Sequence, residues 1–211
     1  MTLRVEVHPA APQRRLISEC ADVLRAGGVL AYPTDTCYAL GCAMNSADGV
    51  KTIQRIRQTG KDHELSLICR DLSEIATYAR VPNWAYRLLK AHTPGPYTFV
   101  LTATRDVPRR LQNPKRKTVG IRVPDNPVTA ALVDQLGDPI LSTTLQLPGE
   151  ELPLNDGLEI QDRLTGQVDM IVDAGSCGIQ PSTVVDLTGS SPEVLRVGKG
   201  DPEHFESRRS L

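Results

Sequence analysis

Thr34, Asp35, Thr36 and Tyr38 place two hydroxyls, a carboxylate and a phenol within five residues, directly after the apolar run Val29–Tyr32 ends in Pro33. Proline donates no ladder hydrogen bond, so the strand is expected to stop there. Polar groups this dense are costly to bury without partners. At the end of a buried strand they suit the wall of a polar ligand pocket. The same residues also suit an ordinary turn into the next element, with Gly41 letting the chain turn again. Two later segments alternate. Residues 118–123 put Val119, Ile121 and Val123 on one face and Thr118, Gly120 and Arg122 on the other. Residues 140–147 set Leu141, Thr143, Leu145 and Leu147 against Ser142, Thr144 and Gln146. A half-solvated sheet gives this pattern, and so does a concave sheet whose polar face lines a pocket. In a pocket, Gly120 would let a ligand approach the backbone beside Arg122, whose planar fork suits phosphate.

Six basic residues, Arg105, Arg109, Arg110, Lys115, Arg116 and Lys117, are offset only by Asp106. Charge runs are commonly solvated surface, but this one also suits a polyphosphate or RNA. Aromatic residues are too sparse for base stacking. Gly198-Lys199-Gly200 lacks the spacing and the following Ser/Thr of a phosphate-binding loop. Five cysteines without a CxxC pair read as reduced, buried thiols. Four scattered histidines offer no zinc-site spacing, so no metal ligands are assigned. No GxSxG elbow is present.

The elements that must position these groups interleave. Helices are expected at 14–26, 48–57, from the Asp71–Glu74 capping box, from an Asn83 cap, at 125–136 and at 159–164. Strands are expected at 29–32, 65–69, 97–102, 118–123 and 140–147, with shorter ones at 168–173, 183–187 and 194–197. The chain of 211 residues, 40% hydrophobic, suits one full core. We therefore expect a single α/β domain with a twisted mixed sheet and helices around one concavity. The first eleven residues and those from about Glu206 are read as peripheral. The 24 basic and 25 acidic residues signal no bulk attraction to nucleic acid or membrane. The chain has neither an apolar span nor a signal-peptide core, so a soluble, cytoplasmic protein without a membrane partner is expected. The oligomeric state is open.

Five motifs in order, Tyr32–Gly41, Thr93–Thr98, Gly120–Pro124, Pro139–Thr144 and Pro181–Asp186, resemble the YrdC/YciO family over roughly residues 12–200. The resemblance implies a twisted α/β fold around a large, positively lined cavity. It implies threonylcarbamoyl-AMP synthase chemistry, in which L-threonine, bicarbonate and ATP release pyrophosphate and feed tRNA modification. Members have also been linked to double-stranded RNA. On this resemblance, Thr34, Asp35, Thr36 and Tyr38 would meet the threonine and acyl end. Arg57, Lys61 and Arg122 would hold and position the phosphates, with Mg²⁺ assisting. Thr144, Gln146, Ser182, Thr183 and Arg196 would fix the nucleotide. No protein nucleophile is required.

The chain departs from the synthases' Lys-x-Arg and Ser-x-Asn pairs. It carries Arg57-Gln58-Thr59 and Thr144-Leu145-Gln146, a combination similar to the YciO branch. Thr59 lacks a charge that Lys61, two residues on, could lend. The alternative function is a nucleotide- or double-stranded-RNA-binding module without efficient synthesis, with Arg109, Arg110, Lys115, Arg116 and Lys117 as RNA contacts.

Overall fold

Two helices close one end of the molecule. Helix α1 (Arg14–Arg25) buries Ile17, Cys20, Ala21 and Leu24, the spacing of a single apolar stripe. Gly27, at φ +88°, ends it. Its stripe packs on α5 (Pro127–Leu136), which buries Val128, Leu132 and Val133. The side chain of Asn126 caps α5 by accepting from the Thr129 N–H at 3.0 Å, and Gly137 stops it at φ +81°. Both helices cover the same apolar patch, formed by Leu30, Tyr32, Ala39, Ile68, Ile140, Met170 and Val172. The computed structural model describes residues 2–59 and 65–205. Lys61 lies outside the described residues.

That patch is one end of a single mixed sheet. Its strands are β1 (Leu3–Glu6), β2 (Val29–Tyr32), β3 (Ala39–Ala43), β4 (Ser66–Ile68), β5 (Ala79–Arg80), β6 (Tyr97–Ala103), β7 (Thr118–Arg122), β8 (Ile140–Thr144), β9 (Met170–Asp173), β10 (Thr183–Asp186) and β11 (Glu193–Arg196). The order is β1-β9-β2-β3-β8-β4-β7-β6-β10-β11, with β5 beside β6. Four pairs are parallel (β1/β9, β2/β9, β4/β7, β6/β10) and the others along this order are antiparallel. The opposite face carries the larger core. Leu40, Leu67, Phe99, Leu101, Ile121 and Leu141 pack there with residues of α2 (Ala47–Arg57), α3 (Leu72–Tyr78), α4 (Asn83–His92) and α6 (Gly157–Leu164).

Register explains the hollow. Gly41 pairs with Ser142, Ser142 with Ser66, Ser66 with Gly120, and Gly120 with Val100. Directly opposed residues share a face, so one row across five strands carries side chains no larger than valine. At the β2/β3 end α1 and α5 cover this face. Over β8, β4, β7, β6 and β10 the same face lines a cavity.

Several local expectations are corrected. Gly41 does not turn the chain. It sits inside β3, where a Cβ would lie 2.7 Å from the Tyr32 ring and from Ile140. Residues 3–6 are not peripheral but form the edge strand β1, paired with β9. Asn83 is the first helical residue, with Pro82 before it and no side-chain cap. β8 ends at Thr144, where its partner β3 begins at Ala39. Gln146 therefore leaves the alternation that would have set it beside Thr144.

Candidate functional site

The wall of the cavity is the turn between β2 and β3. The N–H groups of Thr36 and Cys37 donate to Thr34 Oγ1 at 3.1 and 3.3 Å, and that hydroxyl donates to the Cys37 carbonyl at 2.7 Å. With its proton committed, Thr34 Oγ1 accepts from Thr36 Oγ1 at 3.0 Å, and Thr36 Oγ1 accepts from Arg122 Nη2 at 2.8 Å. The chain of donors thus begins at the arginine. Arg122 also pairs with the Asp35 carboxylate. Their side chains are only 9% and 8% exposed. A buried pair of this kind is weak evidence for stability, because desolvation offsets the attraction. Two of its atoms, Arg122 Nε and Asp35 Oδ2, are buried without a hydrogen-bond partner among the described residues. Orphaned buried groups are expensive, and of these two residues it is Arg122 that lines the cavity.

Across the cavity, Thr98 Oγ1 and Ser182 Oγ lie 2.7 Å apart, and Arg196 Nη2 donates to the Ser182 carbonyl at 2.8 Å. Arg196 stands at the mouth. Burial, together with the positive charge of Arg122, lowers its pKa below the usual guanidinium value. The two cations therefore feel each other, and an anion between them would relieve the repulsion. Cys37 also faces the cavity, and burial pushes its thiol up. The cavity volume is about 180 Å³, small beside the roughly 300–1,000 Å³ of whole-ligand pockets. It suits a group of amino-acid or phosphate size, and a whole nucleotide would extend through the mouth.

Of the residues singled out in the sequence, Thr34, Arg122, Thr144, Ser182 and Arg196 line the cavity. Asp35 and Thr36 touch Arg122. Tyr38 turns to the other side, donating to the Gly175 carbonyl at 2.9 Å and accepting from the Ala174 N–H at 3.2 Å. Thr183 is occupied by the segment after β11, donating to the Gly200 carbonyl. Arg57 donates to the Gln146 carbonyl, and burial lowers its pKa. Gln146 Nε2 donates to the carbonyls of Glu150 and Glu151 at 2.9 and 3.1 Å. The basic cluster lies elsewhere. Arg109 and Arg110 are exposed on a 3₁₀ turn, with Arg110 donating to the Met44 carbonyl at 3.1 Å. Arg116 pairs with Asp186, while Lys115 and Lys117 are exposed.

Ser66, Thr98 and Ala39 line the cavity without having been singled out. Their signal was the smallness of single residues in short strands, readable only with the register known. Among the described residues no three His, Cys, Asp or Glu side chains gather as metal ligands. A Mg²⁺ carried on a polyphosphate needs one or two carboxylates, and among the described residues no Asp or Glu lines the cavity. No helix among the described residues is long and apolar enough to cross a membrane.

A single-domain α/β fold with a polar, arginine-bearing cavity on one sheet face is thus the class of protein defined here. The family model Sua5_yciO_yrdC, described as "Telomere recombination", matches residues 22–198. YciO of Escherichia coli, an uncharacterized protein, is 51% identical over 199 residues, covering 94% of this chain and 97% of that one. Its crystal structure superposes with a TM-score of 0.94 at 50% identity, over 98% of this chain and 100% of that chain. The threonylcarbamoyl-AMP synthase of Bacillus subtilis is 32% identical over 90% of this chain, which spans 56% of that protein. P. abyssi Sua5, crystallised with L-threonine, matches at a TM-score of 0.86 and 28% identity, over 93% of this chain and 58% of that one. The chain belongs to the Sua5/YciO/YrdC family.

Proposed function

We propose that this protein binds ATP at the cavity and forms a threonylcarbamoyl adenylate from L-threonine, bicarbonate and ATP, at a low or specialised rate, serving tRNA modification in the cytoplasm. The observation that carries the reading is Arg122, which lines the cavity, pairs with the buried Asp35 and keeps its Nε without a partner among the described residues. The name of the Bacillus relative and the threonine held by P. abyssi Sua5 support it. In this chemistry the threonine amine and bicarbonate condense to a carbamate with loss of water, and a carbamate oxygen attacks the α-phosphorus. The bond from that phosphorus to the oxygen bridging to the β-phosphate breaks, and pyrophosphate leaves with the electron pair. The protein's part is positioning and charge neutralisation, with Arg122 and Arg196 facing the developing negative charge.

Pyrophosphate release with ATP, L-threonine and bicarbonate, lost when any one is omitted, tests this. The second reading is a nucleotide- or double-stranded-RNA-binding module. It is favoured by the uncharged Thr59 and by the exposed Arg109, Arg110, Lys115 and Lys117. Tight duplex binding without pyrophosphate release would decide for it.

A further inference from the structure

The segment Gly198-Lys199-Gly200 is fixed from both sides. A Cβ at Gly198 would lie 2.2 Å from the Pro181 carbonyl oxygen, and one at Gly200 2.3 Å from the Tyr97 ring. Neither position admits a side chain. The Gly198 N–H donates to Thr183 Oγ1 at 2.9 Å, Thr183 Oγ1 donates to the Gly200 carbonyl at 2.5 Å, and the Lys199 N–H donates to the Pro181 carbonyl at 2.8 Å. The backbone of Lys199 is held while its side chain stands in solvent. Its ammonium donates to the carbonyl of Asp35 at 2.5 Å, on the turn that forms the cavity wall.

The charges around the cavity are unevenly committed. Arg122 is offset by Asp35, Arg57 is turned to the Gln146 carbonyl, and position 59 carries no charge. The strap after β10 supplies what the α2 side lacks. Arg196 lines the cavity, Lys199 three residues on reaches the turn that forms its wall, and neither is paired with a carboxylate among the described residues. An ammonium has three donors, and Lys199 gives one to the Asp35 carbonyl.

We propose that Lys199 is a polyphosphate-binding residue of this cavity, its ammonium moving from the Asp35 carbonyl to a phosphate oxygen when the anion arrives. The proposal rests on the reading that the cavity takes ATP, and it assigns the neutralising charge to the strap rather than to the end of α2. A compact, mobile point charge suits phosphate without demanding bidentate geometry.

The test is calorimetric titration of inorganic pyrophosphate and of ATP into wild type, Lys199→Met, Lys199→Arg and Lys51→Met at about 50 mM salt, where screening is mild. Lys51, exposed on α2 and paired with Asp48, controls for charge loss alone. Lys199→Met is expected to weaken pyrophosphate binding about fivefold, as loss of a partly exposed ionic contact predicts. Lys199→Arg and Lys51→Met should stay within about twofold of wild type, and all four should melt alike without ligand. Equal affinities for wild type and Lys199→Met overturn the assignment while leaving the proposed function standing. So does wild-type binding of ATP without pyrophosphate. Failure of the wild type to bind either overturns both.

Discussion

The guanidinium of Arg57 donates to the main-chain carbonyl of Gln146, whose own side chain holds the carbonyls of Glu150 and Glu151. The end of α2 is thereby roped to the loop after β8. In this chain the two departures from the synthase pairs belong to one structure, and reversing them is not symmetrical.

Thr59→Arg alone should raise pyrophosphate release, because it returns a charge worth about 1.5–3 kcal/mol in a hydrogen bond. Adding Gln146→Asn should give back part of that gain. The side chain, one methylene shorter, can no longer reach the loop carbonyls that Gln146 satisfies. Initial rates of pyrophosphate release for both variants decide the matter. A double variant faster than Thr59→Arg would mean the loop clamp is irrelevant to turnover.

Arg122→Ala should weaken ATP binding more than tenfold, about 1.4 kcal/mol or more, and should also destabilise the fold by about 3 kcal/mol. The second effect arises because Asp35 is left buried and unpaired. Combining Arg122→Met with Asp35→Leu removes both charges. Urea denaturation should then show most of the stability recovered, while calorimetry shows ATP affinity still lost. Recovery of affinity along with stability would reduce Arg122 to a structural residue.

Gly120→Ala places a methyl group 2.9 Å from Ser66 Oγ and 3.4 Å from Thr98 Cγ2. Ser66 can rotate, so the melting temperature should change by less than the equivalent of about 1 kcal/mol. The floor of the hollow is filled all the same, and affinity for its occupant should fall about tenfold. An unchanged affinity would place the ligand elsewhere.

Cys20 and Cys42 are buried, and burial pushes each thiol from its ordinary 9.0 up to about 12. A thiol whose pKa is raised by folding contributes stability that is intact below pH 9. That stability is lost as pH rises toward 12, at up to about 1.4 kcal/mol per pH unit for each group. The urea midpoint should therefore drop between pH 8 and pH 10. Cys42→Ala should show a smaller drop, and equal midpoints at the two pH values would contradict the assignment.

Much of this arrangement could be read from local chemistry. The caps at Asp71 and Asn126 and the stop at Gly137 are short-range devices. The alternation in β7 and β8 placed Gly120, Arg122, Ser142 and Thr144 on one face, and all four line the cavity. What escaped depends on partners distant in sequence. Asp35 meets Arg122 across 87 residues and Lys199 reaches Asp35 across 164, separations on which periodicity is silent. β3 was hidden because Ala39–Ala43 is a short run of small and apolar residues with no alternation. Gln146 looked like a strand residue because its apolar neighbours alternate, while the strand's end was set by where β3 begins.

The uncovered half of the sheet has a consequence in heat. Where α1 and α5 lie on the sheet its surface is dry, but beyond them the protein holds a hollow that folding alone does not fill. Whatever compound belongs there binds the folded chain and not the unfolded one, adding about 2.7 kcal/mol at a hundred times its dissociation constant. For a chain of this size that is a rise of about 5–10 °C in melting temperature. The molecule is thus its own thermometer: warmed with a panel of amino acids, nucleotides and duplex RNA, it should report its natural occupant as the compound that delays melting most.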